Sequence, residues 1–315
     1  MTAPARPTLR FAASGEHHAR LARHLTIRDR WLARMLHEHK VLTTHQIAEL
    51  AWPTARAANH RLLTLHQWRV VDRFQPFVTV GSAPMHYVLD VAGAVQLAYE
   101  DGLDPKTLNY RHDAALGISH SLQLAHDVGV NGFFTSLVAD SRNHAHGLTT
   151  WWSERRCATY FGDVVRPDGY GRWTENNAIF EFFLEHDCGT ETLTRLADKI
   201  HRYARLATSS GICTPVLFTF PSARREANAR IALADALRTL DGTTTFPVVT
   251  TNSEFPPTAA SLRWLPVADI RVGRLRLGEL SQLWPFKQNA TIVRPDHSRT
   301  TLSPPSPLPP LWSSR

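Results

Sequence analysis

Two neighbouring stretches decide how the second half of the chain folds: VVRPDGYGRW, residues 164–173, and AIFEFFLEHDCGTETLTRLADKIHRY, residues 178–203. Both contain apolar runs that are typical of β-strands. Asp168 lies at the tip of the first run, and Glu185 and Asp187 interrupt the second. A carboxylate inside an apolar strand is costly unless a cation or a hydrogen-bond network meets it. The pattern therefore indicates that these acids have partners.

The spacing of the acids predicts a shared site. In a strand, residues two positions apart lie on the same face, which applies to Glu185 and Asp187. If the two strands pair as a hairpin, Asp168 joins them at one edge of the sheet. Gathered carboxylates repel one another unless a cation intervenes, and oxygen ligands suit Mg²⁺ or Mn²⁺. We therefore expect these acids to bind Mg²⁺ or Mn²⁺, which would activate a water for attack on a phosphodiester.

Each of these residues also has a purely structural interpretation. Asp168 is followed by Gly169, and an Asp-Gly pair is common in ordinary turns. Glu185 and Asp187 would also be favourable near the N-terminus of the helix predicted after them, because acids interact well with that end of a helix. Lys199 would then be a solvated charge on that helix, and Tyr203 would belong to its buried edge.

The charge of the chain indicates a polyanionic partner. Its 315 residues carry a formal net charge of +7 at pH 7. Residues 1–90 hold 12 Lys and Arg but only 6 Asp and Glu, so most of the excess lies in the first third. This asymmetry favours nucleic acid over a membrane, and no stretch is suited to span a bilayer. Cys157, Cys188 and Cys213 include no Cys-x-x-Cys pair, which favours a reducing cytoplasm.

The first third has the order of elements of a winged helix-turn-helix. Three helical patterns are followed by a two-stranded ribbon, and RLLTLHQWRVVDRF, residues 61–74, changes from a period of 3.6 to a period of 2. This segment resembles the recognition helix and wing of bacterial winged-helix proteins, which implies double-stranded DNA in contact with the helix. Packing against a protein partner is the alternative. The predicted DNA-contacting residues are Arg56, Asn59, His60, Arg61, Arg69 and Arg73.

The acidic stretch resembles the PD-(D/E)xK fold of restriction-like nucleases. Pro167 and Asp168 match the first half of that motif, and Glu185 matches its second acid. Asp187 stands where the family usually has Lys, a departure that puts catalysis in question. The resemblance implies Lys199 as a migrated form of that Lys. It also implies Glu154 as the extra upstream acid that the family often has.

A narrower resemblance covers residues 26–285. The strings WWSE, RPDG, FFLEHDCGTETLTRLADKIHRY and PVLFTFPSARRE, preceded by a winged helix, resemble the replication-relaxation family. That family occurs often on plasmids and mobile elements, and the resemblance implies a role in DNA replication or plasmid transfer. A relaxase forms a phosphotyrosine link, so Tyr203, one helical turn beyond Lys199, is a candidate nucleophile.

These observations predict an α+β protein with a winged helix-turn-helix before a restriction-endonuclease-like α/β sheet domain, and a disordered C-terminal tail. The predicted parts are a flexible N-terminus (1–25), the winged helix (26–101), a helical connector (102–127), the nuclease-like domain (128–284) and a Pro- and Ser-rich tail (285–315). The predicted function is metal-dependent nicking or cleavage of DNA. A non-catalytic DNA-binding replication or regulatory protein is the alternative. A homodimer and other replication or transfer proteins stay open as partners.

Overall fold

The computed structural model describes residues 6–108, 110–142, 146–240, 246–258, 261–268, 273–283 and 304–310. These residues divide into two compact units, one drawn from residues 1–135 and 296–315 and the other from 136–295. Among the described helices, none combines the length and the apolar character that a membrane crossing requires.

The first unit is mainly helical. Its elements are α1 (Leu9–Ala12), α2 (Gly15–Leu21), α3 (Ile27–His39), β1 (Leu42–Thr43), α4 (Thr44–Ala51), α5 (Ala55–Gln67), β2 (Val71–Phe74), β3 (His86–Leu89), α6 (Val91–Glu100), α7 (His112–Gly117) and α8 (Leu124–Ser141), the last of which contains the boundary between the units. Short 3₁₀ turns lie at Pro105–Leu108 and Ile118–His120. The hydroxyls of Thr26 and Thr43 cap α3 and α4 in capping boxes.

The winged helix-turn-helix predicted from the sequence is present. Helices α3, α4 and α5 are followed by the antiparallel ribbon β2–β3, and β1 pairs with the other side of β3 to give the order β1-β3-β2. Leu32 and Leu36 of α3 and Leu62 and Leu65 of α5 are buried. The wing between β2 and β3 projects Phe77 into solvent at 93% exposure.

The N-terminal segment differs from the flexible terminus predicted for residues 1–25. From residue 9 it forms α1 and α2, and it is tied to the winged helix by charged contacts. Arg6 pairs with Asp72 and Asp90, and the Arg69 guanidinium donates to the carbonyl of Pro7. The ion pairs are formed with residues distant in sequence, so no local pattern predicts them.

The second unit is built on a six-stranded mixed sheet in the order β4-β5-β6-β7-β8-β9. The strands are β4 (Gly147–Ser153), β5 (Gly169–Glu175), β6 (Ala178–His186), β7 (Val216–Phe220), β8 (Val248–Asn252) and β9 (Leu265–Pro266), and the helices are α9 (Glu154–Phe161), α10 (Leu193–Ser210), α11 (Ala223–Arg238) and α12 (Leu280–Leu283). Strands β4, β5 and β6 are antiparallel neighbours, whereas β6, β7 and β8 are parallel. Parallel pairing requires crossovers, which α10 and α11 supply.

Helix α10 covers the sheet because it has one apolar face. Leu196, Ile200 and Tyr203 recur at helical spacing and are buried in the same core as Phe183 of β6 and Phe218 of β7. This packing sets the middle of α10 against the end of β6. The predicted α+β class, with a winged helix before a restriction-endonuclease-like sheet, is confirmed.

The C-terminal segment is described only in part. Of the tail predicted to be disordered from residue 285, the structure describes residues 304–310. There the indole of Trp31 donates a hydrogen bond of 2.7 Å to the carbonyl of Ser306. The rest of that prediction concerns residues outside the described part of the chain.

Candidate active site

Glu185 is buried at the end of β6 and has two side-chain partners on α10. Only 1% of it is exposed. The Lys199 ammonium donates to Oε2 at 2.8 Å and the Tyr203 hydroxyl donates to Oε1 at 2.5 Å. Lys199 and Tyr203 reach the same carboxylate because residues four positions apart lie on one face of a helix. Since Thr192 caps α10, Glu185 does not have the helix-capping role that its sequence position allows.

Asp168 lies beside Glu185 because of the register between β5 and β6. Gly169 pairs with Leu184, which brings the preceding residue, Asp168, to the end of β6. Its Oδ2 accepts a hydrogen bond of 2.7 Å from the backbone N–H of His186. The carboxylate of Asp168 is thus hydrogen-bonded to the end of the neighbouring strand β6, a contact that an ordinary turn does not need.

Glu154 begins α9 at the same end of the sheet as Asp168. Ser153, the last residue of β4, pairs with Gly169, and its hydroxyl caps α9. Glu154, the first residue of α9, therefore follows directly after the strand residue that lies opposite the start of β5. Glu154 therefore lies at the end of the sheet that carries Asp168, and its role as the extra upstream acid stays a prediction.

The electrostatics of the site reflect an excess of negative charge. Burial and the nearby charge of Asp168 raise the pKa of Glu185 to about 7. Burial opposes the charged form of Lys199, but the carboxylates of Glu185, Asp168 and Glu191 outweigh it and raise the pKa of the ammonium. Lys199 Nζ lies 3.0 Å from Glu191 Oε2. Lys199 is therefore protonated at neutral pH and serves as a fixed positive charge.

Asp187 does not join the other two acids in one coordination sphere, contrary to the expectation from its spacing. Its Oδ1 accepts from the backbone N–H of Gly189 at 2.8 Å, and its Oδ2 accepts from Arg225 Nε at 2.6 Å. Arg225 also donates to the carbonyl of Glu191. Within the described part of the chain, the three acids do not form a group whose ligand atoms all lie within 4.8 Å of one another. The turn after β6 and the start of α11 hold Asp187 instead.

We expect Asp187→Asn to destabilise the protein by about 1.5–3 kcal/mol, the usual value for a lost hydrogen bond to a charged group. The side chain of Asp187 is only 1% exposed, so Arg225 would lose a desolvated partner. The measurement is urea unfolding, with Asp198→Asn on the exposed face of α10 as the matched control. A loss no larger than that of the control would show that the pair contributes nothing.

The fit of a divalent cation can be judged from the oxygen atoms. Asp168 and Glu185 offer hard carboxylate oxygens at one end of the sheet; burial raises the pKa of Glu185, and the neighbouring carboxylates raise the pKa of Lys199. These two acids fit Mg²⁺ or Mn²⁺. Asp187 does not, because both of its oxygens already accept protein hydrogen bonds. A cation would also share Glu185 with Lys199.

The residues predicted to contact DNA separate into two groups. Arg56, Asn59 and His60 are exposed on α5, and Arg73 lines a cavity of about 530 Å³ together with Asn59. Arg61 and Arg69 are held by acids of the protein itself. The first four therefore form the candidate recognition surface.

Arg61 and Arg69 have intramolecular partners. Arg61 donates to both oxygens of buried Asp29, at 2.9 and 2.5 Å, and lies over the Trp68 ring. Arg69 donates to Asp90 at 3.3 Å. These contacts are between side chains far apart in sequence, so helical spacing alone does not distinguish them from the exposed arginines.

Sequence reasoning missed Arg225. It stands beside Arg224 at the start of α11, and nothing in the local pattern separates the two. The packing of α11 next to the end of β6 turns Arg225 towards Asp187 and leaves Arg224 exposed. Only the tertiary structure makes that choice.

A second cluster, in the first unit, was also missed. Asp72, Asp90 and His112 have ligand atoms within 4.8 Å of one another. Both acids, however, form ion pairs with Arg6, and Asp90 also forms one with Arg69. These guanidinium groups supply the positive charge that a metal would supply. We therefore interpret the cluster as a structural ion-pair network.

Comparison with known proteins supports one assignment. The family model described as replication-relaxation matches residues 34–222, which include α4, α5, the wing and the sheet as far as β7. No curated protein and no solved structure matches the chain. The matched region contains Asp168, Glu185 and Lys199, and it covers more than half of the sequence. The chain belongs to the replication-relaxation family.

Proposed function

We propose that this protein binds double-stranded DNA during replication or transfer of a plasmid or mobile element, and that its second unit nicks or cleaves DNA with the help of a divalent cation. Membership of the replication-relaxation family indicates a role in replication-related DNA processing. The nuclease activity and its metal are our inference from the site.

The observation that carries the proposal is the buried Glu185–Lys199 pair beside Asp168. Buried charges are expensive, and replacing such a pair by apolar residues is often neutral or stabilising. Strongly perturbed ionisable groups at one edge of a sheet are characteristic of functional sites. The nuclease motif usually has a lysine where this chain has Asp187. Lys199 of α10, 2.8 Å from Glu185, supplies a cation in its place.

The chemistry divides between the side chains. Asp168 and Glu185 would hold Mg²⁺ or Mn²⁺, and the ion would supply Lewis acidity and an activated water. Lys199, protonated and fixed, stabilises negative charge on the phosphate under attack. Glu154 adds a carboxylate at the same end of the sheet.

Tyr203 orients Glu185 and is not the nucleophile. Only 2% of it is exposed, its hydroxyl donates to Oε1 of Glu185, and burial raises its pKa well above the usual value. A tyrosine that attacks a phosphodiester must reach the substrate and lose its proton. The proposal is therefore hydrolysis by water, without a phosphotyrosine intermediate.

The first unit would bring the protein to duplex DNA. Arg56, Asn59 and His60 are exposed on α5, the helix that enters the major groove in winged-helix proteins, and Arg73 lies at the base of the wing. Arg56→Glu should therefore weaken duplex binding and reduce its salt dependence.

The test is nicking of supercoiled plasmid in the presence of Mg²⁺ or Mn²⁺. We expect the wild type to nick and Glu185→Gln to lose at least about a hundredfold of the rate, a typical cost for a group that stabilises the transition state. Glu181→Gln is the matched control, because Glu181 lies on the same strand but pairs with Arg172. Equal rates in the two variants would place the chemistry elsewhere.

A thermal measurement separates metal binding from catalysis. A cation that binds the folded state stabilises it by about 2.7 kcal/mol at a hundred times its dissociation constant. We expect the melting temperature of the wild type to rise with added Mn²⁺ and that of Glu185→Gln to rise much less.

The second candidate function is a non-catalytic DNA-binding protein that keeps the nuclease-like fold. The Asp187–Arg225 pair favours it, because the usual position of the motif lysine is locked into an internal contact at 2.6 Å. A flat Mn²⁺ titration together with intact duplex binding and no nicking would establish this function in place of the first.

A further inference from the structure

The first unit contains a cavity that the proposed function does not use. It has a volume of about 610 Å³ and lies between the segment containing α1 and α2 and the C-terminal end of α5. Its lining includes four aromatic side chains, Phe11, His17, His24 and Trp68, and the arginines Arg20 and Arg23. A cavity of this size suits a small organic ligand.

The aromatic side chains provide flat apolar surfaces. The ring centroids of Phe11 and His17 are 5.6 Å apart, and those of His24 and Trp68 are 5.8 Å apart. His17 Nε2 lies 2.9 Å from the carbonyl of Trp68, which links α2 to the end of α5. These contacts form the cavity from two segments that are distant in sequence, and they hold its rings in place.

The charge around the cavity favours an anion. Arg20 and Arg23 are exposed and line it. Glu16 also lines it, but this acid forms an ion pair with Arg20, whose guanidinium lies over Phe11 at 5.7 Å. Arg23 makes no ion pair with any residue that the structure describes, and its positive charge is therefore not neutralised.

We propose that this cavity binds an unpaired nucleotide, with the base against Phe11, His24 or Trp68 and the phosphate at Arg20 and Arg23. A nucleotide combines a flat base with an anionic group, which is the same combination that the lining offers. Aromatic side chains and arginines together are the usual means of holding unpaired bases. The nucleotide is either part of a single strand or a free mononucleotide. This site is separate from the proposed duplex-binding surface on α5 and from the nuclease-like site.

The first experiment measures fluorescence anisotropy of a labelled oligothymidylate with the full chain. We expect His24→Ala and Arg23→Glu each to weaken binding about tenfold, the lower part of the range for loss of one stacked base. Arg10→Glu is the matched control, because Arg10 is an exposed arginine of α1 outside the cavity. No binding of the oligonucleotide, or equal effects of Arg23→Glu and Arg10→Glu, would overturn the proposal.

Two comparisons identify the ligand. Arg56→Glu should weaken binding of a labelled duplex and leave oligothymidylate binding intact, so failure of either DNA surface is distinguishable from failure of the other. Titration with thymidine monophosphate separates the sources: affinity similar to that of the oligonucleotide assigns the cavity to free nucleotides, and much weaker affinity assigns it to single strands.

A spectroscopic test does not depend on a loss of affinity. Stacking of a base on Trp68 should quench its emission, so oligothymidylate should quench the wild type more than Trp68→Phe, a variant that keeps an aromatic ring against Arg61. Equal quenching of the two proteins would show that the base does not lie at Trp68 and would overturn that placement.

Discussion

Lys199→Met is expected to destabilise the protein by about 3–5 kcal/mol, the usual cost of removing one partner of a buried ion pair. Glu185, which is only 1% exposed, would keep only the Tyr203 hydroxyl of its two side-chain partners. We also expect any DNA cleavage to fall by a further factor of about 10²–10³, since a positioned charge near the phosphate is lost. Urea unfolding and the plasmid nicking assay measure the two effects.

The pH dependence of that loss follows from Glu185. Its pKa is raised to about 7 by burial, so protonation relieves the unpaired charge as the pH falls. The deficit of Lys199→Met relative to the wild type should therefore be larger at pH 8 than at pH 6. A deficit that does not change with pH would mean that Glu185 is not charged in the variant.

Two further variants make the Lys199 result specific. Arg202→Met removes an exposed cation from the same helix and should leave stability nearly unchanged. The double variant Glu185→Gln with Lys199→Met should be more stable than Lys199→Met alone, because no buried charge is left unpaired. If the double variant were the less stable of the two, the ion pair would not explain the loss.

Asp90→Ala is expected to destabilise the first unit by about 3–5 kcal/mol. Asp90 is fully buried, and its Oδ1 caps α6 through the N–H of Val91 at 2.7 Å. Its Oδ2 accepts from Arg6 at 2.7 Å and from Arg69 at 3.3 Å. The substitution removes the cap and leaves two guanidinium groups without their shared acid. Thermal unfolding monitored by circular dichroism gives the measurement.

A surface acid provides the control for Asp90. Asp113 pairs with Arg111 in the same unit, but both side chains are more than two thirds exposed, at 70% and 73%. Asp113→Ala should therefore leave the unfolding midpoint unchanged, since exposed pairs are hydrated and screened. Equal effects at the two positions would show that burial of the network is irrelevant to stability.

The neighbouring acid Asp72 makes the contribution of this ion-pair network to stability depend on pH. Burial opposes its ionisation, but hydrogen bonds from His66 and Arg6 outweigh this effect and lower the pKa of Asp72. A carboxyl with a lowered pKa in the folded state stabilises the protein above the ordinary carboxyl range, and this contribution is lost as the pH falls below that range. We therefore expect the free energy of unfolding of the wild type to decrease as the pH falls below the ordinary carboxyl range, because Asp72 then becomes protonated.

The local pattern of the chain determined most of its helices and strands and their order. Apolar spacing identified the helices before the wing, and the apolar run from residue 178 identified β6. The strand predicted over residues 163–169 was wrong, because residues 162–164 form a turn and β5 begins only at Gly169, after Asp168. Asp168 and Glu185 were predicted because acids in an apolar strand need compensating charge, whereas Lys199 was implied by the resemblance to restriction-like nucleases. These features depend on residues near one another in sequence, so the sequence alone contains them.

Tertiary structure decided which charges meet. Asp187 was predicted as a third metal ligand from a two-residue spacing, but β6 ends at His186 and the following turn gives Asp187 to Arg225. Arg61 and Arg69 have the spacing of DNA-contacting residues and are instead paired with Asp29 and Asp90. Partners far apart in sequence leave no periodic pattern, because their distance is set by how helices and strands pack. The sequence therefore determined which residues carry charge and where each element lies, whereas packing determined which charges face solvent and which face one another.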